Sequence, residues 1–171
     1  RNNMNDLSKE IIIYSAITYL ESFNKAVDSV ARERKYLATV NGFTLDETKD
    51  FINYVINNNY AQYLIIYENE VRGWCDIIPK SIPEFSHVGV LGIGILPEYR
   101  GRGLGKKLLA KTINHAKDIN KLEKIELVVF ESNINAIKLY KEFGFFEEGK
   151  RLKARKIDGK YDNELLMGKF L

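Results

Sequence analysis

The chain has 171 residues, 45% of them apolar and 12% aromatic, with a formal net charge of +3 at pH 7. That length fits one domain whose core needs no staples, and the composition excludes extensive disorder. The single cysteine, Cys75, rules out an internal disulfide, no Cys/His spacing suggests zinc, and the interleaved charges carry no basic stripe of a nucleic-acid binder.

The N-terminal stretch mixes Asp6, Lys9 and Glu10 into its apolar residues, unlike a secretory signal. The longest uncharged apolar run, residues 87–97, contains three glycines and is too short to span a bilayer. A lone cysteine suits a cytoplasmic setting. Arg1-Asn2-Asn3 precede Met4, so a single domain over residues 4–171 is expected, with 1–3 as a cloning remnant.

Residues 11–14, Ile-Ile-Ile-Tyr, read as a strand. Leu20, Phe23, Val27 and Val30 then recur at helical spacing and predict a helix over about 19–34, with 34–41 extended or irregular. Thr44 with Glu47 three residues on forms a capping box. The helix it opens carries Phe51, Ile52, Val55 and Ile56 and stops at Asn57-Asn58-Asn59. The period then drops to two: strands at 63–67 and 71–78 flank a tight turn, and a third follows at 87–96. A helix over about 103–119, a strand at 124–130 and a short helix over 135–143 ending at Gly144 come next. Strands at 145–157 and 161–170 meet at Asp158-Gly159. These elements predict an α/β fold around a sheet of mixed direction.

The segment from Leu91 to Leu109 is the richest in chemistry. Arg100-Gly101-Arg102-Gly103-Leu104-Gly105 lies between a strand and an amphipathic helix. Glycines there let backbone N–H groups converge, and the helix N-terminus adds its positive end, a cradle suited to a pyrophosphate. Arg100, Arg102, Lys106 and Lys107 add cations. A dinucleotide fingerprint fails because Leu108 stands where its third glycine belongs. A Walker A loop fails because Arg100 replaces its first glycine and no hydroxyl residue follows Lys106. A plain Gly-rich strand-to-helix turn remains the alternative on these residues alone.

Arg100-x-x-Gly103-x-Gly105, with Ile95-Leu96-Pro97 before it, resembles the acyl-CoA pyrophosphate loop of the GNAT superfamily of N-acetyltransferases. The stretch from Asn133 to Phe145, with its Leu-Tyr and Gly-Phe pairs, resembles the same superfamily's following loop and helix. The resemblance in motif runs from about His87 to Phe145. It implies a mixed, mostly antiparallel central sheet of about seven strands with helices on both faces, splayed at the acyl-CoA cleft. It implies acetyl-CoA as co-substrate, no metal, and an amine acceptor. Members often pair as homodimers, and no feature of this sequence marks an interface.

Carried onto this chain, the resemblance gives Ile93, Gly94 and Ile95 to the pantetheine arm through their backbone, with small Gly92 and Gly94 allowing close approach. Arg100, Gly101, Arg102, Gly103, Leu104, Gly105 and Lys106 would hold the pyrophosphate. Asn133 and Asn135 match coenzyme A contacts, or else cap the helix after Phe130. Tyr140 matches the general acid that protonates the leaving thiolate, where core packing is the other reading. The general base stays open. Relatives' glutamate is replaced here by Val128, which leaves Glu126, a couple of Asp76 with His87, or a water chain. Asp162 and Glu164 near the end could face a cationic acceptor, or simply solvent. A non-catalytic acyl-CoA sensor is the rival function.

Overall fold

The computed structural model describes residues 9–171, so the reading of residues 1–3 and of a start at Met4 lies outside the described residues. Seven strands, β1 (Ile11–Tyr14), β2 (Ala61–Tyr67), β3 (Glu70–Pro79), β4 (Val88–Ile95), β5 (Lys124–Phe130), β6 (Phe146–Ile157) and β7 (Lys160–Phe170), form one sheet in the order β1-β2-β3-β4-β5-β7-β6. Four helices, α1 (Leu20–Arg32), α2 (Leu45–Asn57), α3 (Leu104–Asp118) and α4 (Ile134–Glu142), cover it. Every pairing is antiparallel except β4 with β5, whose parallel run requires the α3 crossover.

Period-two alternation sorts the side chains onto two faces. Cys75, Ile77, Leu91, Ile125 and Leu127 pack under Leu104, Leu108, Leu109 and Ile113 of α3 and Tyr140 of α4. Leu64, Ile66 and Trp74 pack on the other face against Phe23, Ala26 and Val30 of α1 and Ile52 of α2. The capping box opening α2 is present: Thr44 Oγ1 accepts from the Glu47 N–H at 3.1 Å, and the Thr44 N–H donates to Glu47 Oε2 at 3.0 Å. Both hairpin turns use positive φ at their two central residues, Glu68-Asn69 and Asp158-Gly159, which matches strand twist. Short 3₁₀ turns at Ile17–Tyr19, Pro83–Phe85 and Pro97–Tyr99 were not expected from the periodicity, since one turn is too short to show a repeat.

The feature that shapes the molecule is where β4 and β5 part. They pair only at Val88↔Lys124, Gly89↔Ile125 and Val90↔Glu126. Beyond Val90, β4 stays with β3 to Ile95, and β5 stays with β7 to Phe130. The result is a V-shaped gap in the middle of the sheet, as expected. Residues 33–41 are irregular, and contacts at their start tie them down: Arg34 bonds Asp158 at the β6–β7 turn, and the Leu37 carbonyl accepts from Arg155. Among the described residues no helix is long and apolar enough to cross a membrane.

Candidate active site

The gap exposes backbone on its β4 side. The Leu96 N–H donates to the Arg72 carbonyl and the Lys80 N–H to the Val88 carbonyl, which marks the even-numbered residues of β4 as those bonded to β3. Ile93 and Ile95 therefore turn their N–H and C=O groups toward the gap. At its upper end lies the glycine loop. Gly101 and Gly103 sit at φ +72° and +78°, a region where glycine is favoured, and a Cβ at either would meet open space. It is their backbone conformation, not crowding, that calls for glycine. Gly103 is also the N-cap of α3 and offers no side chain, so the first N–H groups of that helix stay available for an anion.

The cations of the loop have mostly local partners. Arg100 makes a two-pronged pair with Glu33 of the α1–α2 connection at 2.9 and 2.5 Å, donates from Nε to the Ile95 carbonyl at 2.8 Å, and lies over the Tyr36 ring. Its guanidinium clamps the loop to β4 and to the 33–41 segment instead of pointing free. Arg102 pairs with Glu10 at 2.7 Å and Lys106 with Glu142 at 3.0 Å, both near the surface. Leu104 turns its side chain into the core, so only its backbone faces the loop. Gly105 lies at ordinary contact distance from Ile95 and Leu139, packing α3 onto β4 and α4.

Two protonatable side chains flank the gap. Tyr140 is 6% exposed, tilts against Phe145 and belongs to the α3 face of the sheet. Burial pushes its hydroxyl well above the ordinary tyrosine value, with the nearby Cys75 thiol adding to that push, so it keeps its proton at neutral pH. Asp76, the next residue after Cys75, projects from the opposite face. Burial raises its carboxyl to about 7, against the opposing pull of a hydrogen bond from Gln62. Oδ2 accepts from Gln62 Nε2 at 3.2 Å, and Oδ1 lies 3.2 Å from where a Gly92 Cβ would stand, beside the gap. Among the described residues no His/Cys/Asp/Glu group is arranged to hold a metal ion.

Comparison with known proteins matches this loop, gap and helix to one family. The acetyltransferase (GNAT) family pattern matches residues 27–145, more than half of the chain. This chain belongs to that family. Over 47 residues it is 51% identical to the spermine/spermidine N(1)-acetyltransferase of Bacillus subtilis, covering 28% of this chain and 31% of the relative. The chain thus matches about a third of that relative's length. Over 108 residues it is 31% identical to the L-amino acid N-acetyltransferase of Escherichia coli K12, covering 63% of this chain and 67% of the relative. Its fold superimposes on the acetyltransferase of GNAT family from Streptococcus pneumoniae with a TM-score of 0.89 at 26% identity, covering 95% of this chain and 100% of that one.

Several residues singled out in the sequence are not brought together in this GNAT domain. The couple of Asp76 with His87 does not form. Asp76 pairs with Gly92, five residues beyond His87, which is roughly 16 Å along the strand. His87 is exposed ahead of β4, and its carbonyl accepts from Glu123 and Lys124. Glu126 is held by Lys80 at 2.6 Å and Lys124 at 3.1 Å, and the Lys80 contact chiefly lowers its pKa, which makes it a poor proton acceptor. Gly94 serves packing: a Cβ there would lie 2.3 Å from the Trp74 ring. Asn133 caps α4 by accepting from the Ala136 N–H at 3.3 Å, while Asn135 is exposed. Asp162 is engaged by Arg155 and Ser132, and Glu164 by Arg151. The residue that sequence reasoning missed is Gln62. Its one signal was a polar residue in an otherwise apolar and aromatic strand. A surface groove of about 620 Å³ lined by Thr18, Ser22, Lys25 and Asn69 lies on α1 and the β2–β3 turn, apart from this chemistry.

Proposed function

We propose that this protein transfers the acetyl group of acetyl-CoA to a primary amine, of a small molecule or a protein N-terminus, by direct attack within a ternary complex. The observation that carries this reading is the pairing of Asp76 and Tyr140 on opposite faces of the sheet beside the same gap. The chain's residues also fit the co-substrate: an uncapped helix start after left-handed glycines suits a pyrophosphate, and the gap-facing N–H and C=O of Ile93 with the N–H of Ile95 suit the amides of a pantetheine arm. Acetyl-CoA supplies the acyl group as an activated thioester. Asp76 takes the proton of the incoming ammonium at Oδ1, since a carboxylate of pKa about 7 is matched to that task near neutral pH. Tyr140 gives its hydroxyl proton to the sulfur as the C–S bond breaks, and regains one as the newly bonded nitrogen sheds its second proton. Arg100, tied to Glu33 and to Ile95, keeps the glycine loop and the end of β4 in register while this happens. Both named relatives are acetyltransferases of amine compounds, which supports an amine acceptor here.

The test is release of free coenzyme A from acetyl-CoA across a library of amines, with a thermal scan alongside. The expected result is amine-dependent release and a raised melting temperature with acetyl-CoA. A raised melting temperature with no release for any amine would favour a non-catalytic acyl-CoA sensor.

A further inference from the structure

One polar row crosses an otherwise apolar sheet face. The Ser15 N–H continues the β1–β2 ladder by donating to the Gln62 carbonyl at 3.0 Å. Gln62 stands opposite Asp76, and Asp76 opposite Gly92. The three side chains Ser15, Gln62 and Asp76 thus run from the edge of the sheet to the gap. Gln62 is wholly buried and Ser15 is 4% exposed. Gln62 Nε2 is used by Asp76, but Gln62 Oε1 and Ser15 Oγ are buried with no hydrogen-bond partner among the described residues. Buried polar atoms left unpaired are expensive, and two in one row beside a buried carboxyl need a reason.

The reason lies in what an amide can do that no apolar residue can. It offers a donor on one end and an acceptor on the other. The ionised Asp76 needs a donor; the protonated Asp76 needs an acceptor. We infer that Gln62 is a positioning residue whose side-chain amide turns over with the Asp76 proton, the unpaired Ser15 Oγ standing in the same row as the acceptor for Nε2 once it leaves Asp76. With Asp76 ionised, Nε2 holds Oδ2 and leaves Oδ1 turned toward Gly92 and the gap. Once Asp76 has taken the ammonium proton at Oδ1, half a turn of the carboxyl brings that O–H to Gln62, whose Oε1 accepts a hydrogen bond from it while Nε2 turns toward Ser15. The inference rests on the reading of Asp76 as proton acceptor.

The surroundings leave Gln62 as the group that sets this proton's position. On the same face Asp76 is flanked along β3 by Trp74 and Ile78, and across β4 by Gly92. The helices packed there turn in Phe23, Ala26 and Val30 from α1 and Ile52 from α2, none of which titrates. The nearest charged pair on that side of the sheet, Lys80 with Glu126, starts four residues further along β3, roughly 13 Å away.

The experiment is the pH dependence of kcat, at saturating acetyl-CoA and amine, for the parent, Asp76→Asn, Gln62→Met and Ser15→Ala. Gln62→Met keeps the volume and removes both hydrogen-bonding ends. Losing a hydrogen bond to the ionised form raises a carboxyl pKa, so its acid limb is expected to move up by about one unit, with about a fivefold loss at pH 7 that shrinks above pH 8. Ser15→Ala removes the acceptor that Nε2 uses only when Asp76 is protonated, so it is expected to shift the limb downward by about half a unit, and it serves if Gln62→Met does not fold. A uniform rate loss across pH in either variant, with a lowered melting temperature, would reduce the row to a structural role and overturn the inference. If Asp76→Asn retains the parent's rate and acid limb, it is the base assignment that fails. If Asp76→Asn abolishes the limb while the Gln62 and Ser15 variants leave it in place, Asp76 stands and the amide relay does not.

Discussion

Asp76→Asn should make this protein both more stable and nearly inactive. The parent carboxyl holds its proton up to about pH 7 when folded, because burial disfavours the charge, whereas the unfolded chain releases it near 3.8. Between those values the folded state binds more protons than the unfolded one. Stability therefore falls as pH rises from about 4 to 7 and then levels off. A shift of about three units at about 1.36 kcal/mol each sets a ceiling of about 4 kcal/mol. Solvent reaching the carboxyl across the open gap lowers that, so about 1–3 kcal/mol is expected. Asparagine keeps the shape, carries no charge, and finds a partner when Gln62 presents Oε1. Thermal denaturation without ligand should show the variant above the parent at pH 8 by about 2–4 °C per kcal/mol for a chain of this size. The difference should vanish near pH 4. Coenzyme A release at pH 7 should fall by about 10²–10⁴, the range of general base assistance. A variant less stable than the parent at pH 8, or one that turns over normally, would refute the reasoning.

Three other expectations bear on the same gap. Tyr140→Phe keeps the ring against Phe145 and removes the proton, so turnover should drop about 10²–10⁴-fold while the acetyl-CoA dissociation constant stays near the parent's; turnover within about threefold of the parent, short of that range, would return Tyr140 to packing alone. Gly103→Val forces a β-branched residue into φ +78°, so a folded variant should lose the thermal shift with acetyl-CoA, and an undiminished shift would remove the loop from binding. Gly94→Ala drives a methyl into the Trp74 ring and should destabilise by about 1–3 kcal/mol in chemical denaturation; an unchanged midpoint would mean the ring has room to move.

Much of this molecule is encoded within single segments. The 3.6-residue repeat of Phe23, Val27 and Val30, the capping box at Thr44, the paired turn residues at 158–159 and the glycine loop each act over a few residues, so each is legible from neighbours in the chain. The loop and the Asn133–Phe145 stretch were enough to expect the family, its sheet and the gap. What the sequence could not settle are matters of register and long-range pairing. A strand's alternation shows which residues share a face but not which residue of the next strand stands opposite, and a slip of five residues separates Asp76 beside His87 from Asp76 beside Gly92. Arg100 sits in the loop, but the carboxylate that pairs with it, Glu33, lies 67 residues away and is not legible from the loop. Gly94 looked like room for a ligand because Trp74, twenty residues earlier, fills that space only once β3 and β4 pair. Gln62 carried no visible role until the fold set it between Ser15 and a buried carboxyl. Charge, burial and proton affinity are properties of neighbours in space, and only the folded sheet decides who those neighbours are.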